Sequence, residues 1–308
     1  MLGSKFQEIP TILTITSDVH RFRSVNNVLR EAPLHMILRG ISDAALRQHI
    51  SAPIEFMDRK QCQQLKQLKH QPIAMQLGKI GGVVVASEYT EDILNAIGTS
   101  LPCVTVTRSA RPRHADSAGP EHLHGVERLV RYLHQLGHDR IGFVSLDQRL
   151  PWAVERYSGY LYAMNNIGLT MNPATVLNVT GPALSDKQLA APIIAATKKG
   201  VTAWVCASDG LAREIYLHLT AAGVKVPSDV SLTGFDGVRH LPDCPPLTTI
   251  DVPWQAIGAG ALAAILERIA SPNAPAVHRE YIGTFIEGKT TAPPPKQKSA
   301  NLKQNVKS

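Results

Sequence analysis

Short apolar runs rich in β-branched residues alternate with amphipathic helical patterns along most of the chain, and this alternation limits the fold more than any other feature. The runs are Thr11–Ser17, Pro53–Met57, Gly82–Ser87, Cys103–Arg108, Arg140–Leu146, Ala174–Val179, Thr202–Ala207, Ser231–Phe235, Thr248–Val252 and Glu280–Ile286. Several are almost continuously apolar, as in GVVVAS at Gly82–Ser87, the pattern of parallel strands buried on both faces. Between them, His124–Leu136 sets Val126, Leu129, Val130 and Leu133 on one helical face, with Gly137 as a stop. Asp209 precedes GLAREIYLHLTAAG as an N-cap, with Gly223 as the C′ residue. Pro253 opens a further helix over Trp254–Ile269. Strands alternating with helices predict an α/β fold built on parallel sheets. Ten strands in two stretches of alternation predict two lobes rather than one wide sheet.

Composition excludes several other classes. The chain has 308 residues, 44% hydrophobic and 19% charged, which is ordinary for a globular protein and excludes a chain disordered throughout. No apolar run approaches the roughly eighteen residues of a membrane span. The first residues lack the apolar core and cleavage site of a secretory signal, so a cytoplasmic protein without a membrane partner is expected. Cys62, Cys103, Cys206 and Cys244 are far apart and form no CxxC pair. Cys103 and Cys206 lie in apolar runs and read as buried reduced thiols. The net charge is +7, but five lysines, Lys289, Lys296, Lys298, Lys303 and Lys307, fall in the last twenty residues. The basic excess is therefore concentrated in a tail. Residues 1–9 read as an arm or linker end, and residues 292–308, which open on APPP, as a disordered basic tail.

Four motif matches suggest chemistry, and each has a plainer explanation. Gly283–Thr290 (GTFIEGKT) satisfies the phosphate-loop pattern GxxxxGK[ST]. That loop must be followed by a helix whose N-terminus faces the phosphates, whereas Thr-Ala-Pro-Pro-Pro follows here. Gly258-Ala-Gly260-Ala-Leu-Ala263 satisfies GxGxxA, but its glycines fall inside the helix opened by Pro253, where small residues serve close packing. His122 and His124 form an HxH beside Glu121 and Glu127 with no third ligand in view, and Gly137 interrupts the HxxxH of His134 and His138. No nucleophile elbow or catalytic triad signature is present. No enzymatic activity, cofactor or metal is expected.

A family resemblance rests on three segments taken together. They are Gly125–Leu169, Thr202–Val238 and Pro245–Pro294, with LGHDRIGF, RxxGY at Arg156–Tyr160, ASD at Ala207–Asp209, VPSDVSLTGFD and PPLTTI as their most telling pieces. In order and spacing the chain resembles the effector-binding domain of LacI/GalR-type transcription regulators, strongly from Gly125 onward and loosely before it. The resemblance implies two Rossmann-like lobes similar to type I periplasmic binding proteins, with a ligand cleft between them at the C-terminal ends of the strands. It implies an N-terminal lobe of residues 10–137 plus 252–274 and a C-terminal lobe of residues 138–251 plus 275–291. The crossovers then fall near His138, Asp251 and Ala274.

The ligand residues implied are Arg156 as a fork of donors, Asp236 as acceptor for two hydroxyls, Ser208 where the family often has Asn, and Ser17 and Asp18 at the opposite lip. Trp152 stands where the family often has Ser or Thr and could stack on a sugar face. Glu121-His122 replaces the frequent Asp-Asn, and the segment from Ser17 to His35 carries His20, Arg21 and Arg23. The function implied is an effector sensor, the effector a small polar molecule such as a sugar. The first buried strand begins at Thr11, which leaves no room for the family's helix-turn-helix. DNA contact is therefore expected only through a helix-turn-helix or winged-helix module not in this chain, as in GntR-type regulators carrying this effector domain, in a homodimer. The alternative is the solute-binding protein of a transporter.

Overall fold

The computed structural model describes residues 10–17, 33–57, 64–65, 71–86, 91–106, 113–145, 151–178, 190–239, 241 and 243–295. Asp18, His20, Arg21, Arg23, Cys62, the 1–9 arm and residues 296–308 of the tail lie outside them. The first half forms a sheet from β1 (Ile12–Ser17), β2 (Ile54–Met57), β3 (Gly82–Val85), β4 (Cys103–Val106) and β5 (Asp116–Pro120), joined by β11 (His278–Tyr281). The order is β11-β5-β4-β3-β1-β2, and every pairing is parallel. Alternate side chains serve opposite faces, as the strand period of two requires. Val84 and Val104 pack under α1 (Pro33–Arg47) and α8 (Trp254–Ala270). Val83, Val85 and Cys103 pack against Met75 of α2 (Ile73–Gln76) and Leu94 and Ile97 of α3 (Glu91–Gly98). Burial on both faces explains why GVVV is apolar throughout.

The second sheet runs β7-β6-β8-β9, again parallel, from β6 (Ile141–Ser145), β7 (Val176–Asn178), β8 (Ala203–Cys206) and β9 (Ser231–Thr233). A parallel bridge from Thr233 to Thr248 leads into β10 (Thr249–Asp251), which pairs antiparallel with β12 (Thr284–Ile286). Phe143 and Val205 face α4 (Leu123–Gln135) and α5 (Pro151–Asn166). Val144, Trp204 and Cys206 face α6 (Ala190–Lys198) and α7 (Asp209–Ala221). This is the two-lobed α/β architecture with parallel sheets that the alternation predicts.

The structure departs from the sequence reading at five points. β5 was missed, since DSAGP has no β-branched residue and contains Gly and Pro, both poor strand formers. The single run Glu280–Ile286 is split between two sheets, with β11 ending at Tyr281 and β12 starting at Thr284. The third crossover accordingly passes through Ile282 and Gly283, not near Ala274, because β11 completes the first sheet beside β5. The first crossover precedes α4 and is not near His138, because α4 packs on α5, β8, β10 and β12 of the second lobe. The second crossover runs through Val252 and Pro253.

The tail is the fifth departure, for Ala292, its first residue, is built into the second lobe beside Thr290. Thr290 Oγ1 donates to the Leu232 carbonyl at 2.7 Å, and the Leu232 amide donates to the Thr290 carbonyl at 2.8 Å. The Ala292 amide donates to Ser231 Oγ at 3.1 Å, and His138 Nε2 donates to the Ala292 carbonyl at 2.8 Å. Unpaired buried backbone groups would be costly, so this polar stretch is held by hydrogen bonds despite its composition. The same bonds account for the phosphate-loop match. Its Gly283 lies in a crossover, its TFI is β12, and its Thr290 hydroxyl is used within the fold.

Candidate functional site

Arg156 lies in the second turn of α5 and is 3% exposed. A buried guanidinium requires partners for its charge and its N–H groups, and three sides of the site supply them. Nη2 donates to Asp236 Oδ1 at 2.9 Å. Nη1 donates to the Ala207 carbonyl at the end of β8, and Nε donates to His122 Nδ1 at 3.2 Å. Because arginine can only donate, His122 Nδ1 is the acceptor and its ring proton sits on Nε2. The face of the guanidinium lies 3.9 Å from the Phe235 ring centroid and 4.9 Å from that of Trp152, within cation–π range on both. His122 also packs on Phe235, centroid to centroid 5.8 Å.

The electrostatics follow from burial. Desolvation, with the Arg156 charge in support, holds His122 well below the ordinary imidazole range, so it is neutral. Desolvation lowers Arg156 and Asp236 opposes that shift. Burial raises Asp236, and Arg156 opposes it in turn.

Asp236 is set by an unusual backbone. Its φ is +132°, and Gly237 follows at +80°. A non-glycine residue there is strained and is held only by its surroundings. The Asp236 amide donates to the Ile250 carbonyl at 3.0 Å, and Trp254 Nε1 donates to the Asp236 carbonyl at 2.8 Å. The cluster therefore joins the ends of β8 and β9 to His122 in the first crossover and to Trp254 just past the second.

The other expected residues fall as follows. Trp152, in the first turn of α5, is half-buried and stacks on Arg156. Ser208 is half-buried, and its hydroxyl caps α7 by accepting from the Leu211 amide at 3.2 Å. Ser208 is thus the N-cap, and Asp209, read as the cap from sequence, is the first helical residue. Its carboxylate is fully buried and turns toward β10 and the turn after β9. Ser17 ends β1, opposite Met57 of β2. His122, Phe235, Trp254 and Asp209 were not read as site residues. The HxH spacing drew attention to His122 as a ligand, whereas its partner is a guanidinium. His124 points instead to Glu121, whose carboxylate accepts from the His124 and Gly125 amides at 2.9 and 3.1 Å and so caps α4.

Residues 130–291 match the family model of the periplasmic binding protein-like domain. The chain is 31% identical over 197 residues to the HTH-type transcriptional repressor PurR of Pasteurella multocida, covering 61% of this chain and 57% of that protein. It is 32% identical over 193 residues to the protein of the same name in Vibrio campbellii, with coverage of 61% and 57%. The chain thus spans under two thirds of the length of these curated relatives. Among solved structures, it resembles a LacI family transcriptional regulator of Enterococcus faecium with bound ribose, with a TM-score of 0.71, 20% identity and coverage of 92% and 99%. It also resembles the lac repressor dimer bound to operator and an anti-inducer, with a TM-score of 0.72, 18% identity and coverage of 93% and 96%. At these identities the structural likenesses show the fold.

Proposed function

Because the chain belongs to the family of periplasmic binding protein-like domains, we propose that it is the effector-sensing part of a transcription regulator. A small polar effector, a sugar in the first instance, binds between the lobes and shifts their relative arrangement. DNA contact falls to a helix-turn-helix or winged-helix module, in a homodimer. The observation that carries this reading is the buried Arg156 fork, paired with Asp236 and faced by Phe235 and Trp152. It stands at the C-terminal ends of β8 and β9, beside two crossovers, where open α/β sheets take their ligands. Three of the five guanidinium N–H groups are used by the partners named above. Arg156 and Asp236 together can serve vicinal hydroxyls, with Trp152 for the ring face. The relatives named as repressors favour this over the transporter reading. Ser17, Asp18 and Ser208 complete the proposed ligand set.

The test is a thermal-shift screen against ribose, cellobiose, sugar acids, nucleosides and ATP–Mg²⁺, repeated with Arg156→Lys and Asp236→Asn. A ligand at a hundred times its Kd adds about 2.7 kcal/mol, several degrees for lobes of this size. A sugar-class shift lost in both variants is the expected result. A shift produced by ATP alone would overturn the reading.

A further inference from the structure

Asp209 is a fully buried carboxylate that the proposed ligand contacts do not use. It grips both ends of the short segment that carries Asp236. Its backbone amide donates to the Phe235 carbonyl at 2.8 Å. Its Oδ2 accepts from the Val238 amide at 2.7 Å, and the Gly237 amide adds a further donor. Its Oδ1 accepts from Thr249 Oγ1 of β10 at 2.6 Å. Residues 235 to 238 are therefore looped over one residue, its backbone amide at one end and its carboxylate at the other, with the strained Asp236 at the crest. Gly234 leaves the space that this requires, because a Cβ there would collide with Asp209 Oδ1. The hydrogen-bond donors to the carboxylate, Thr249 and the Gly237 and Val238 amides, are all uncharged.

We infer that Asp209 is a positioning residue that sets the turn carrying Asp236, and through it the Arg156 pair, with a grip that depends on whether its carboxylate is free to accept from both sides. The inference rests on the proposed cleft only in taking Asp236 as a ligand-facing group. Ionised, the carboxylate offers two strong acceptors to the amides and to Thr249. Protonated, it loses acceptor strength on one oxygen and the loop is held less tightly. Among the described residues, the titratable or charged groups that reach Asp209 are Arg156 from α5, Cys206 from β8, Asp236 after β9 and Cys244 in the following turn. Both thiols are raised by burial and stay neutral; the charges acting on Asp209 include those of Arg156 and Asp236, and Arg213 of the same helix acts on Cys244. Burial, reinforced by Asp236, pushes Asp209 up to about 7, while Thr249 and the two amides pull it down.

The readout needs no ligand, so its outcome is independent of which effector the cleft takes. The indole Nε1–H of Trp254 bonds to the Asp236 carbonyl and reports on the loop. Its resonance, assigned with Trp254→Phe, is followed from pH 5 to 9 in the ¹⁵N-labelled chain. The wild type is expected to show a one-proton midpoint near 7. Asp209→Asn is expected to abolish that midpoint while leaving the fold intact, since Asn can still accept from an amide and donate to Thr249. Thr249→Val, which removes a donor to the charged form, moves the midpoint upward and serves if Asp209→Asn does not fold. A midpoint that survives Asp209→Asn unchanged, is absent in the wild type, or does not move in Thr249→Val overturns the inference.

Discussion

Arg156 and Asp236 form one unit whose members cannot be removed singly at low cost. Truncating one partner leaves the other charged and buried, a loss of about 3–5 kcal/mol. Arg156→Met should therefore destabilise the chain by that amount in urea unfolding. The double variant Arg156→Met/Asp236→Asn should lose less than the sum of the singles, because Asn carries no charge to strand. Strict additivity would mean that the 2.9 Å contact carries little energy. Both residues were legible in the sequence through the RxxGY and TGFD pieces, since each sits in a local motif. Their surroundings were not. His122 is 34 residues away from Arg156 in sequence, and nothing in its spacing announces a neutral imidazole accepting from a guanidinium. Asp209 looked like a cap because Asp often is one. Its neighbour Ser208 took that role, having the shorter side chain at the extended position, which released the carboxylate for β10.

At the scale of elements, helix packing in the first lobe depends on glycine at two facing positions. A Cβ at Gly258 of α8 would collide with the Ile37 carbonyl of α1, and one at Gly40 of α1 with the Gln255 carbonyl of α8. Backbone is the obstacle in both cases, so no side-chain rotation relieves it. Gly258→Ala should cost about 1–3 kcal/mol despite alanine's better helix propensity. A thermal midpoint at or above that of the wild type would contradict the close approach. The sequence reading of Gly258 as a packing residue holds, and Gly40 is its unread partner. The strands were legible wherever β-branched residues concentrate. DSAGP was not, because Asp116 is chosen for an ion pair and not for β propensity. Its carboxylate binds Arg268 of α8 at 2.6 and 3.0 Å and accepts from the Val277 amide at 2.7 Å. Pairing between β5 and β11 joins residues more than 150 positions apart, a relation that no local pattern encodes.

For the whole molecule, buried histidines and buried carboxyls pull the stability curve in opposite senses on its acid side. Burial lowers His138, whose Nδ1 meets Thr202 Oγ1 at 2.8 Å while Nε2 binds Ala292, and lowers His122 further. Below the ordinary value of 6.5, the unfolded chain takes up protons that the folded chain refuses. The histidine contribution is therefore complete above 6.5 and declines as pH falls, by up to about 1.4 kcal/mol per pH unit for each histidine. Asp209 acts in the opposite sense. Raised to about 7, it contributes stability that is full below 3.8 and is lost as pH rises from there to 7, and Asp236, also raised by burial, acts in the same sense. Urea unfolding between pH 5 and 7 should show less loss of stability toward acid in His138→Gln than in the wild type. An unchanged slope in that variant would assign the decline to other groups. The third crossover also has a consequence for synthesis. β11 completes the first lobe's sheet, and β12 with Thr290 closes the second, so both lobes draw their final strand from the same short stretch near residue 280. A ribosome must make the stretch near residue 280 before either half can finish folding. Two bodies that look independent in space are finished at the same moment, by the same few residues leaving the exit tunnel.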